Sequence, residues 1–557
     1  HNEPAVGLYV DGIPYFEKAS FDFNFYDIEQ IEVLRGPQGT LYGRNTLGGI
    51  IRVHTTEPDN ENSTNVSLSS SNQYKKSIHL NQNINVSNKV NVNFGGQFSH
   101  HNGYYKNEFY DESIGGETSY SGRLKLKFKA NNNLDFMFLL DGNSMKNNGY
   151  PYSNLSDSVN YISYNRESSY KRELLTTGFK ANLKTENFLL KTVTSLQHLD
   201  DIQEIDQDFS PADLFFVNQD RNHNLFSQEF NISGEITNNT KLVAGAFGFY
   251  QLRDKQVDVF YGDDAVELYQ LPGKMEKYKN YFRNTGGFAF FGQMKQQSFL
   301  LEDLSLTLGL RYDYEVDKLD YKYDMQMSGS EIPKADFDHQ LNFSEWLPKI
   351  SLNYKWTKQF TQFASVSKGY KSGGFNSTFE KPEDETFKPE FSWNYETGLK
   401  YRSKFLSANF SLFYIDWRDQ QVYQIDTIGS NGTTGPVLKN AGESVSKGAE
   451  VELSVRPVTN ISTFFNAGYT HAKFEDYVKD PTDNEDYSGN FIPYIPRYTF
   501  STGMNYRLLL PNKLVNELRF HFSYNGVGKH YWDNENSIKE DYYGLLNASI
   551  TGFIKNF

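Results

Sequence analysis

What most constrains this chain is a strict two-residue alternation of apolar and polar side chains, which recurs from about residue 64 onward in segments of about ten residues. Leu304, Leu306, Leu308, Leu310, Tyr312 and Tyr314 share one face of such a segment, and Ser305, Thr307, Gly309, Arg311 and Asp313 share the other. Leu518, Phe520, Phe522 and Tyr524 alternate in the same way with Glu517, Arg519, His521 and Ser523. Leu124, Leu126 and Phe128 alternate with Arg123, Lys125, Lys127 and Lys129. Period two sends each set to opposite sides of a sheet. About ten residues is the length a tilted strand needs to cross a bilayer. A soluble sandwich would show the same pattern with its apolar face inward, so periodicity leaves both open.

The connections decide between them. About twenty strands begin near residues 64, 76, 89, 118, 132, 171, 187, 224, 240, 285, 303, 345, 360, 391, 405, 445, 461, 497, 516 and 544. After the second strand, short links such as Ser87-Asn88, Asn131 to Asn133, Thr185 to Asn187 and Arg402 to Lys404 alternate with long ones. The long ones are Asp141 to Tyr170, Asp200 to His223, Gln251 to Asn284, Asp317 to Ser344 and Asp419 to Ser444. Long structureless loops are uncommon in compact domains. Short periplasmic turns paired with long extracellular loops are the asymmetry of outer-membrane barrels. Aromatics at 16% with a mean hydropathy of −0.64 require rings and polar groups to be finely interleaved, as such a barrel does. No run approaches the roughly 20 apolar residues of a membrane helix. The chain has no cysteine, hence no disulfide or thiolate metal site. Its net charge of −14, without a basic stripe, speaks against nucleic acid.

A barrel of about twenty strands is too wide for its own side chains to fill, so its lumen holds water or a plug. The first 58 residues are not barrel-like. Gly7 to Gly12 reads as a strand entering a turn and Ile28 to Leu34 as helix or strand. A glycine-rich stretch from Arg35 to Gly49 and the strand Ile50 to Val53 follow. The expected fold is an all-β transmembrane β-barrel with a partial α+β plug domain, divided as 1–58 and 59–557.

Tyr9 to Pro14, then Ile28 to Asn45 with its Arg35-Gly36-Pro37-Gln38-Gly39-Thr40-Leu41-Tyr42-Gly43-Arg44 core, then Gly48 to Ile51, closely resemble the second half of the plug of TonB-dependent outer-membrane transporters. Lys368 to Asn376, Tyr395 to Lys400, Asn440 to Glu443, Lys447 to Glu452 and Pro496-Arg497 are similar to stretches of their siderophore-receptor branch. The resemblance implies a 22-stranded barrel, a place in the bacterial outer membrane, a TonB complex of the inner membrane as partner, and a ferric siderophore as cargo. It implies no resident cofactor. It departs at both ends. The earlier half of the plug and the segment that contacts TonB are missing, and two final strands are expected beyond Phe557, so the chain reads as truncated.

The resemblance further implies a latch in which Arg35 of the plug pairs with Glu396 and Glu450 of the wall, a geometry that suits a guanidinium able to serve two carboxylates. The loop after Gly12 corresponds to a substrate-facing apical loop. Tyr15, Phe16 and Lys18 are therefore candidates for holding an anionic, partly aromatic chelate, and the alternative is that Tyr15 and Phe16 pack under the barrel's own loops. Tyr370 and Lys371, at the opening of an extracellular loop, are further candidates, with the aromatic girdle as the alternative for Tyr370. His100 and His101 are strand neighbours and point to opposite faces, so no metal site is expected from them. Asp200, Asp201, Glu204, Asp206 and Asp208 read as a solvated acidic outer loop, with calcium binding as the alternative. No nucleophile–base constellation or phosphate loop is visible, and no catalysis is expected. Other expected cargoes are a cobalamin, haem or an oligosaccharide. A passive porin would need no plug.

Overall fold

The plug begins with a hairpin whose turn the sequence spells out. Strands β1 (Val6–Val10) and β2 (Ile13–Tyr15) pair antiparallel across Asp11-Gly12. Both turn residues have positive φ (52° and 82°), the tight turn that Asp-Gly adopts readily. Strands β3 (Ile28–Arg35) and β4 (Gly49–Thr55) complete a four-stranded sheet of order β2-β1-β4-β3, with β1 parallel to β4. Ile28 to Leu34 is thus strand, and the glycine-rich stretch holds only the single turn α1 (Gly39–Tyr42). Gly43, at positive φ, lies where a Cβ would collide with the guanidinium of Arg311 on the wall. The computed structural model describes residues 3–22, 26–72, 74–153, 161–376, 379, 384–424, 437–440, 442–480, 485–511 and 514–554. Phe557 lies outside them.

The wall is built in chain order from β5 (Ser63–Ser70), β6 (Lys76–Ser87), β7 (Val90–His101), β8 (Gly116–Lys129), β9 (Leu134–Asn148), β10 (Ser169–Lys184) and β11 (Phe188–Asp206). Then come β12 (Phe215–Thr237), β13 (Thr240–Tyr261), β14 (Met275–Gln296), β15 (Leu304–Met327), β16 (Ser330–Trp346), β17 (Lys349–Lys355) and β18 (Phe360–Lys371). The last are β19 (Glu390–Arg402), β20 (Leu406–Arg418), β21 (Glu443–Val458), β22 (Ile461–Asp476), β23 (Tyr498–Leu509), β24 (Val515–Val527) and β25 (Tyr543–Ile554). They follow one another around the barrel wall, and its first and last strands, β5 and β25, are exposed at every residue. Strands β16 and β17 both pair with β15, along Tyr312–Met327 and Leu304–Gly309 respectively. They occupy one wall position, interrupted at Leu347-Pro348, where proline has no N–H for the ladder. With that pair merged, the wall positions match the twenty strand starts read from the sequence.

Most of the expected long loops are instead strand. Strands β13, β14 and β15 run for 22, 22 and 24 residues, about twice what a membrane crossing needs. Asp317 to Ser344 is a hairpin closed by Ser328-Gly329, both at positive φ. The acidic "loop" Asp200 to Asp206 lies within β11. Asp201 and Asp206 are buried, while Asp200 and Glu204 are not. Along β15 the odd-numbered residues face inward throughout, but their character changes. Thr307, Arg311 and Asp313 line the lower lumen, whereas Leu319, Tyr321, Tyr323 and Met325 are buried higher up. These four belong to an inner apolar crest with Val217, Val257, Tyr261, Met275, Tyr281, Phe375 and Phe379.

Candidate functional site

Three kinds of contact hold the plug against the wall, and the expected site residues fall among them. The first is apolar. The Tyr15 hydroxyl donates to Thr176 Oγ1 at 3.2 Å, and its ring packs among Leu139, Leu174 and Leu199. Phe16 meets Phe249 edge-on at 5.3 Å, in a cluster with Phe247, Leu225, Ala289 and Phe291. Both rings are buried, at 5% and 7% exposure, and pack the plug against apolar residues of the wall. A strand hairpin that must sit in a wide lumen buries its aromatic tips against the nearest apolar wall. Lys18, one turn further, is exposed. Tyr370 and Lys371 are also buried, because β18 ends against the plug: the Asn45 N–H donates to the Tyr370 carbonyl at 3.2 Å.

The second contact is a set of charges. Asp11 accepts from the Thr55 N–H (3.0 Å) and hydroxyl (2.7 Å) and from Lys125 Nζ (2.9 Å). Burial alone would raise its carboxyl, but Lys125 and the Thr55 hydrogen bonds outweigh burial and hold it below the ordinary range. Lys127 pairs with Glu57 at 2.9 Å and Lys129 donates to Asn60 at 3.2 Å. The inward cationic file of β8 is therefore a rail for the end of the plug. Nearer the apex, Glu17 spans two wall arginines, Arg221 at 3.2 Å and Arg253 at 3.3 Å. Arg44 joins Glu3 within the plug and reaches Glu315 of the wall at 3.0 Å.

The third contact is Arg35, at the end of β3. It reaches Glu450 at 2.6 Å and Glu452 at 2.8 Å. Glu452 thus takes the place expected for Glu396. Among the described residues Glu396 forms no ion pair within 4.0 Å, although it shares the inward face of β19 with Asn394, which approaches Gly36. Arg35 is not buried: its side chain is 57% exposed. Burial is the largest single influence and lowers the guanidinium, but Glu450 and Glu452 together outweigh it and hold it above its ordinary value.

Above the apex the inner wall carries a band of cations against rings. Lys255 Nζ lies 5.6 Å from the Tyr281 ring, Lys279 Nζ 4.9 Å from Tyr323, and the Arg283 guanidinium 5.7 Å from Phe375. Tyr281 and Tyr321 lie 4.8 Å apart, and Phe379 lies 4.9 Å from Tyr321. Such an array can hold a flat anion by charge and by ring faces. The sequence reading missed it because it assigned these residues to loops. The signal that would have found them is the same alternation, continued past residue 314 with the apolar set moved to the other face. Among the described residues no group of three or more histidines and carboxylates is placed to hold a metal.

A wide barrel holding a folded plug, with a cationic and aromatic band above it, is the architecture of a plugged outer-membrane receptor. Residues 127–557 match the family described as TonB dependent receptor-like, beta-barrel, and residues 2–50 match the TonB-dependent Receptor Plug Domain. The chain belongs to the TonB-dependent receptors, proteins of the bacterial outer membrane. It is similar to the pesticin receptor of Yersinia pestis, 24% identical over 98% of this chain and 77% of that protein. An iron-regulated outer membrane virulence protein of Vibrio cholerae is 23% identical over 86% of this chain and 67% of its own length. Among solved structures, the ferric yersiniabactin uptake receptor of Yersinia pestis aligns with a TM-score of 0.82 at 20% identity, covering 98% and 81% of the two chains. A siderophore receptor of Acinetobacter baumannii aligns at 0.77 and 15%, covering 98% and 82%.

Proposed function

We propose that this protein imports a ferric siderophore across the outer membrane, driven by a TonB complex of the inner membrane. The observation that carries this reading is the band of Lys255, Lys279, Arg283, Tyr281, Tyr321 and Tyr323 directly outside a plug bonded to the wall on several sides. A ferric chelate bearing acidic and aromatic groups finds both complements there. Lys18, exposed on the apical loop, is the plug residue that would meet it, and the half-buried Lys255 belongs to the band on the wall. The relatives support the cargo class, since several are siderophore receptors by name. The docked plug opposes the porin reading, because a passive pore gains nothing from a stopper in its lumen.

Arg35 is the release point of this scheme. Its ion pairs with Glu450 and Glu452 are half in water, where such pairs contribute little, so a pull on the plug breaks them at small cost. Uptake of radioactive iron from single ferric siderophores tests the reading in a deletion strain carrying the gene for this protein. Uptake of at least one is expected, and it stops when the proton-motive force is collapsed. Flux that persists after collapse overturns coupling; uptake of a vitamin or glycan alone overturns the cargo class.

A further inference from the structure

The wall arginines near the apex fall into two groups by the carboxylates they hold. Arg283 grips Asp317 through Nε at 2.8 and 2.9 Å, Arg311 holds Asp313 at 2.8 Å, and Arg221 uses one nitrogen on Asp201 at 2.8 Å. These pairs lie wholly within the wall and have the lengths of strong charge-assisted bonds. Arg253 differs. Among the described residues no wall carboxylate lies within 4.0 Å of it. It donates to Thr285 Oγ1 at 2.6 Å and otherwise meets only plug carboxylates, Glu17 at 3.3 Å and Glu3 at 3.4 Å. The second nitrogen of Arg221 also meets Glu17, at 3.2 Å. The Glu17 carboxylate thus lies across two guanidinia, Oε2 toward Arg221 and Oε1 toward Arg253, with both contacts long. The Nε atoms of both arginines and the side-chain oxygen of Gln251 are buried without a hydrogen-bond partner. Buried donors left unused beside loosely held ones cost stability unless something else takes them.

We infer that Arg221 and Arg253 form a subsite for a carboxylate of the incoming cargo, and that Glu17 occupies it at rest as an internal stand-in. This rests on the import reading and narrows it to chelates that carry a free or iron-bound carboxylate. The argument is one of shape and charge. Two guanidinia that already seat a planar two-oxygen anion match another such anion, and Lys255, the next inward residue above Arg253, extends the positive surface toward the outside. Exchange of one carboxylate for another leaves the wall's charge balance unchanged. It releases Glu17 and loosens the apical loop beyond it, while Tyr15 and Phe16 keep the start of the loop packed against the wall. Cargo arrival is thereby felt by the plug without any change in the barrel.

The test uses the full chain in detergent, with ferric citrate as the carboxylate probe and a neutral ferric trihydroxamate as comparison, both followed by titration calorimetry. Glu17→Gln removes the competing charge and is expected to tighten ferric citrate binding by about tenfold while leaving the trihydroxamate unmoved. Arg253→Met is expected to weaken ferric citrate by about tenfold or more, and Arg253→Lys to restore part of the loss, since it keeps charge but not the fork. Heat-modifiable gel mobility reports that each barrel is assembled. If Glu17→Gln does not assemble, Glu17→Asp, whose shorter side chain loses its reach, is expected to tighten binding to a smaller degree. Unchanged or weaker ferric citrate binding in the Glu17 variants overturns the subsite, as does equal tightening for both probes or no saturable ferric citrate binding at all. Energised uptake of other ferric chelates survives each of those outcomes, so the import reading stands or falls separately.

Discussion

Strand β15 passes through two environments, and the contrast between its halves explains much of this molecule. In the lower half Leu308 and Leu310 point outward, 40% and 48% exposed, and the polar Thr307, Arg311 and Asp313 point inward. In the upper half Leu319 and Tyr321 are buried on the inward side, and Lys318, Asp320, Lys322 and Asp324 take the other face. The backbone parity never changes; only the medium outside does. Lipid demands apolar groups on the outer face, whereas water above the membrane lets the same sheet fold its apolar face inward as in a soluble protein. The switch between Tyr314 and Leu319 marks the upper edge of the membrane.

Substitutions can break this contrast, the largest effect coming first. Tyr321→Ala opens a hole in the crest, where the ring is 1% exposed, and is expected to cost about 4 kcal/mol of crest stability. Limited proteolysis of the β15–β16 hairpin should show it while the membrane half stays protected. Leu310→Arg puts a cation on the lipid face and is expected to cost about 3 kcal/mol in urea unfolding from lipid vesicles. Lys322→Ala, outward but above the membrane, should stay within about 0.5 kcal/mol. Equal costs for the last two would place the membrane edge elsewhere.

The plug contacts sharpen the same lesson, that surroundings set the worth of a charge. Asp11→Asn leaves Lys125, wholly buried, without its carboxylate and is expected to weaken plug docking by about 2 kcal/mol. Because Asp11 titrates below the ordinary carboxylate range, its contribution is complete above about pH 4 and is lost as pH falls through its lowered value. Plug protection in hydrogen exchange should thus be flat from neutral pH to about pH 5 and fall only in stronger acid. Asp11→Asn should reduce that fall. Arg35→Ala, by contrast, should cost less than about 1 kcal/mol and show mainly as faster plug release in the presence of the TonB complex. A larger loss of stability than that seen for Asp11→Asn would reverse the ranking of the two contacts.

The membrane half was readable because lipid imposes a rule on every strand that touches it, and the Asp11-Gly12 turn because its chemistry is local. The upper halves of β13 to β16 were misread as loops, since polar residues above a membrane edge look alike in strand and loop until the pairing partner is known. Arg35 with Glu450 could be named through the plug motif, but not Glu452, whose side chain reaches Arg35 only in the folded register of β21. Glu17, Arg221 and Arg253 carry no local signature at all.

The sequence by itself determined the number of wall positions, the face each strand shows to lipid and the presence of a stopper, because these follow from period two, turn chemistry and a dense local motif. Only the tertiary structure decided which aromatics pack the plug against the wall and which cations line the lumen above it. Those roles depend on residues some two hundred positions apart, as Glu17 and Arg221 are, and on how far water reaches between them.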